Sequence, residues 1–107
     1  MKGINLLFDA RIFKLGLVKG SSRTGIYFTA KNILDKMCVL NDFNLFFYLP
    51  KADKSFKKDI FLSLNLKEKD IPLYDETTDL SHINVFFSPF EKAPDFNTFC
   101  KNLFIIS

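Results

Sequence analysis

The stretch KGSSRTGIYFTAKNIL, residues 19–34, sets Gly20, Ser21, Ser22, Arg23, Thr24 and Gly25 where a strand hands over to a helical pattern. Free backbone N–H groups and the helix dipole at such a junction favour phosphate or carboxylate. Gly25 would let a ligand approach the backbone closely, and the forked guanidinium of Arg23 suits a phosphate. The segment is neither a Rossmann GxGxxG nor a Walker A loop, because no GK[ST] follows. On pattern alone, a structural turn and a ligand loop both stay open.

Other residues compete for a chemical role. Asp9 closes the first apolar run, where its carboxylate either faces a ligand crevice or, the favoured reading, bonds its own loop. Ser88-Pro89-Phe90 follows a later strand and either lines that crevice or forms a turn. His82, the single histidine, precedes that strand on the side away from the crevice, which argues against a catalytic role. Ser21 and Ser22 have no histidine nearby in sequence, so a hydrolase nucleophile is unsupported. Lys51, Lys54, Lys57 and Lys58 read as a solvated helix face. Cys38 and Cys100 read as reduced, partly buried thiols, and no CxxC or Cys/His cluster suggests zinc. No metal and no cofactor are expected.

These candidates need elements to position them. Ile4 to Phe8 is a nearly continuous apolar run, the pattern of a strand buried on both faces in a parallel sheet. Residues 12–23 read as a loop. From Thr24 the spacing turns helical to about residue 38, with Ile26, Ala30, Ile33, Leu34 and Met37 on one face. FNLFFYL, residues 43–49, is a second buried strand, stopped by Pro50. Ser55 reads as the N-cap of a short helix carrying Phe56, Ile60, Phe61 and Leu64. Ile71 to Tyr74 suits a short edge strand, because proline is tolerated there. Further strands are expected at 83–87 and 102–106, with 91–98 irregular. Strands alternating with helices imply βαβ units and a parallel α/β sheet.

Composition bounds the rest. With 107 residues and 48% apolar content, the chain builds one modest domain with a real core. Its fourteen phenylalanines and absent tryptophan assign no site. The net charge of +3 is spread over scattered lysines, too thin a stripe for nucleic acid. No run approaches the length of a membrane span, and MKGINLLFDAR lacks the apolar core of a signal peptide. A cytoplasmic protein is expected.

Together, INLLFDAR, the loop ending GSSRTGIYFTAKNIL, INVFFSPF and the final LFIIS resemble the N-terminal domain of GT-B glycosyltransferases of family 4, glycosyl transferase group 1. In bacterial members a first strand ending near an Asp runs into a loop ending S-R-T-G-I, and a later strand ends in S-P-F or S-P-Y. Residues 22–26 carry the most specific match and 88–90 the second, while 50–82 add none. The resemblance implies a Rossmann-like, incomplete N-terminal half of a two-domain enzyme. Such enzymes move a sugar from a nucleotide-sugar to a glycan or lipid-linked acceptor, commonly without a metal. It further implies that Gly20 to Gly25 face the interdomain cleft, with Asp9, Ser88, Pro89 and Phe90 lining it. The family's His-Asp segment and donor-binding domain have no counterpart in these residues, so the chain is expected to be a truncated fragment, inactive alone, that self-associates through an exposed sheet. The other expectation is a small non-catalytic α/β module binding a phosphorylated ligand or a protein partner.

Overall fold

The computed structural model describes residues 3–18, 25–39, 43–67, 71–88 and 104–106. Strand β1 (Ile4–Asp9) leads through helices α1 (Arg11–Val18) and α2 (Gly25–Val39) to β2 (Phe43–Tyr48). A 3-10 helix (Lys51–Phe56) and α3 (Lys57–Ser63) precede β3 (Leu73–Tyr74), β4 (Val85–Phe87) and β5 (Phe104–Ile106). The five strands form one sheet in the order β3-β2-β1-β4-β5. Every neighbouring pair is parallel.

This is the order of the first five strands in a Rossmann-type sheet. Ile4 pairs with Phe43 and Asp9 with Tyr48, so β1 and β2 run together over their whole lengths. The order reverses between β1 and β4, where Phe8 is the register partner of Phe87. The expected parallel α/β sheet is present, and Leu73–Tyr74 takes the edge position.

Strand side chains alternate between faces. On one face Leu6 and Phe8 join Phe47 and Leu49 of the β2 region, Phe13 of α1, Ala30 and Leu34 of α2, and Ile60 and Phe61 of α3. Phe8, Phe13, Phe47 and Phe61 are all fully buried there, and ring contacts of Phe8 and Phe47 link them. Each such buried ring contributes a few kcal/mol, about 25 cal/mol per Å² of apolar surface. The other face carries a smaller core of Leu7, Tyr48 and Phe86, covered by Leu80 and Ile83 from the connection between β3 and β4.

Several expectations change. Residues 11–18, within the span read mostly as loop, are helical. The apolar positions around Gly16 lack clean helical spacing, and the helix depends instead on burial of Ile12 and Phe13 and on Asp9, which accepts the Arg11 N–H at 3.0 Å. Ser55 is not an N-cap: it lies inside the 3-10 helix, and α3 begins after Phe56 without a side-chain cap. The stripe of α2 includes Tyr27, 3% exposed and edge-on to Phe13, alongside the expected Ala30 and Leu34. Cys38 is exposed rather than partly buried. The segment 91–98 and Cys100 lie outside the described residues.

Candidate functional site

Period-two alternation puts Asp9 on the face of Leu7, and Ser88 on the face of Phe86, with Tyr48 beside them. All three stand at the carboxyl ends of their strands. Ligands of open α/β sheets bind in the crevice outside those ends, at the point where strand order reverses. β1 and β4 are the two strands that flank this reversal.

Asp9 is fully buried and fully engaged. Its Oδ1 accepts the Arg11 backbone N–H at 3.0 Å and Arg11 Nε at 2.9 Å. Its Oδ2 accepts from Arg11 Nη2 and from the Ser88 hydroxyl, the latter at 2.9 Å. The Arg11 side chain remains 18% exposed, and its guanidinium carbon stands 5.7 Å from the centre of the Tyr48 ring. A buried carboxylate is tolerated only when its lone pairs are met in this way. Asp9 therefore does bond its own loop, and it also ties β1 to β4. The Asp-Ala-Arg spacing carried a signal for this pair, because an aspartate closing a strand readily bonds the N–H two residues on. Neither Arg11 nor Tyr48 was singled out from the sequence.

The Tyr48 hydroxyl has its pKa pushed up to about 12, first by burial and then by the carboxylate of Glu76, with Arg11 pulling the other way. Tyr48 stays a neutral phenol across the physiological range. Next along the same edge, Asp75 follows β3 and is 3% exposed. Lys54 Nζ lies 2.8 Å from its Oδ2, and the Thr77 N–H donates to Oδ1 at 2.8 Å. Hydrogen bonds from Lys54 and Thr77 hold this carboxyl well below the usual range. Lys54 is thus more than a solvated helix residue.

Of the residues read from sequence as site candidates, Asp9 and Ser88 come together. Gly25 is the first residue of α2. Gly20, Ser21, Ser22, Arg23, Thr24, Pro89 and Phe90 lie outside the described residues. His82 is exposed, shares a hydrogen bond with the Tyr74 hydroxyl at 2.8 Å and packs edge-on against Phe46. Among the described residues no three His, Cys, Asp or Glu side chains gather as metal ligands would. Among them, too, no helix is long and apolar enough to cross a membrane. Comparison with protein-family models, curated proteins and solved structures returns no match.

Proposed function

We propose that the carboxyl end of this sheet is the acceptor side of a sugar-transfer cleft, the N-terminal half of a GT-B glycosyltransferase of family 4. The observation that carries the reading is the Asp9–Ser88 hydrogen bond where the strand order reverses. It joins the strand that precedes the S-R-T-G-I segment to the strand that runs into S-P-F, the two motifs of the resemblance. In this reading Arg11 and Tyr48 stand at the cleft floor, and the loop 20–25 meets the ligand at the N-terminus of α2. A nucleotide-sugar would be held by a second, donor-binding domain, and closure of both halves would supply the positioning.

The test is an NMR titration of the isotope-labelled chain with glycan and lipid-linked acceptors and, separately, with inorganic phosphate and small phosphorylated metabolites. Acceptor-induced shifts clustered at Asp9 to Arg11, Tyr48, Ser88 and residues 20–25 support the cleft reading. Shifts there with the phosphorylated compounds alone overturn it in favour of a small phosphate-binding module. No shift with any compound at millimolar concentration overturns both.

A further inference from the structure

The 3-10 helix Lys51–Phe56 is held mainly by charged contacts. None of its residues is buried. Its position is set by charged contacts on two sides. Lys14 of α1 reaches Asp53 at 2.9 Å, and Lys54 reaches Asp75 after β3 at 2.8 Å. The Lys51 backbone N–H donates to the Glu76 carboxylate at 2.7 Å. Only its last residue, Phe56, packs partly against the core, with the Lys14 ammonium 5.4 Å from its ring centre.

Such a segment has little of its own to keep it in place. A 3-10 helix has poorer hydrogen-bond geometry than an α-helix and persists only in short pieces. The Lys14–Asp53 pair, partly exposed on both sides, is weakened by salt, whereas buried apolar contacts are not, and the Lys54 pair with buried Asp75 is screened less. Pro50, with its fixed φ, stands at one end and the core-packed Phe56 at the other, so the intervening residues can lift without unpacking the sheet. Regions with few buried contacts open at a free energy well below that of global unfolding.

From this we infer that Lys51–Phe56 is a flap on the carboxyl edge of the sheet, fastened by the Lys14–Asp53, Lys54–Asp75 and Lys51–Glu76 contacts and released by ionic strength. The flap borders the candidate site, because it follows Tyr48 at the carboxyl end of β2 and its Lys51 is held by Glu76, the residue after Asp75. Opening the flap frees Lys14 and Lys54 and alters the surroundings of Tyr48. The inference stands whether or not the cleft transfers sugars.

Hydrogen exchange resolved by residue tests it. The reporters are the amides of Lys51, Asp53 and Lys57, bonded to Glu76, to the Pro50 carbonyl and to the Lys54 carbonyl. Raising sodium chloride to about 0.5 M shortens the screening length to a few ångströms. It should speed exchange at these three amides by about twofold to fivefold, the range expected for loss of one partly exposed ion pair such as Lys14–Asp53. The amides of Phe8 and Phe47 in the central strands should be unchanged, and sucrose in place of salt should have no such effect. Lys14→Gln and Asp53→Asn should each reproduce part of the loss at low salt, with the central amides reporting in the same experiment that the fold is intact. Salt-independent exchange at the three reporters, or exchange that changes in step with Phe8 and Phe47, would overturn the flap.

Discussion

Ser88 and Asp9, 79 residues apart in the chain, meet at 2.9 Å with both residues fully buried, the serine hydroxyl donating to Asp9 Oδ2. This single side-chain contact joins the carboxyl ends of the two strands at which the sheet reverses its order. Deleting either partner has different consequences. Ser88→Ala leaves Asp9 with its Arg11 donors and should cost about 1.5–3 kcal/mol, the size of a hydrogen bond to a charged group. Asp9→Ala removes the Arg11 partner, the helix-starting bond and the link to β4 together, and should cost more, about 3–5 kcal/mol. Urea unfolding of the two variants checks the order, and equal losses would mean that the Arg11 contacts contribute nothing.

Acid stability should depend on Asp75. Its folded-state pKa is depressed by hydrogen bonds from Lys54 and Thr77, so it binds a proton more readily when unfolded. The sign follows from linkage: its contribution is complete above the ordinary aspartate range, near pH 4, and declines as pH falls toward the depressed value. Exposed Asp79 is also lowered, chiefly by the Ser81 N–H, and acts in the same direction. Melting temperature measured from about pH 2 to pH 6 should therefore slope less steeply for Asp75→Asn than for wild type, without becoming flat. An unchanged slope would show that the Lys54–Asp75 pair does not survive in solution.

Much of the frame was legible because buried parallel strands announce themselves. INLLF and FNLFFY are apolar runs broken only by Asn5 and Asn44, and both became inner strands of the sheet. Helix α1 was not legible, since its reasons lie elsewhere in the chain: Phe13 is buried by Phe8, Tyr27 and Phe47, none of them its own helical neighbours. Ser55 looked like a cap by residue type, yet Pro50 starts a 3-10 turn, with the Asp53 N–H on the Pro50 carbonyl, before any α-helix begins. For the candidate site, Asp9 and Ser88 could be marked as strand ends. Their contact could not, because it requires knowing that β4 lies beside β1 and not beside β3.

Tyr48 should ionise well above the ordinary phenol range. Burial comes first among the causes, and the Glu76, Asp9 and Asp75 carboxylates add to it against Arg11, giving a value of about 12. An ultraviolet titration of phenolate should show a component near that value that disappears in Tyr48→Phe. Glu76→Gln should shift it downward without abolishing it, since desolvation remains. A Tyr48→Phe curve superimposable on wild type would mean that the phenol is not buried among these carboxylates.

The loop that opens α2 gives the sharpest test of the ligand reading. Gly25 is the first residue of that helix, a position where a side chain alters helix propensity by less than about 1 kcal/mol. If the N-terminus of α2 faces a ligand, a branched side chain at Gly25 should obstruct it far more than it harms the fold. Gly25→Val is therefore expected to melt close to wild type while losing the shifts that an acceptor produces at Asp9, Tyr48 and Ser88. Arg23→Ala should weaken the same binding by about 1–3 kcal/mol, the usual size of a charge-assisted hydrogen bond. Calorimetry alongside the NMR titration separates stability from binding. If both variants bind as wild type does, or if Gly25→Val simply unfolds, the stretch from Gly20 to Gly25 is a structural turn and the cleft must be sought elsewhere.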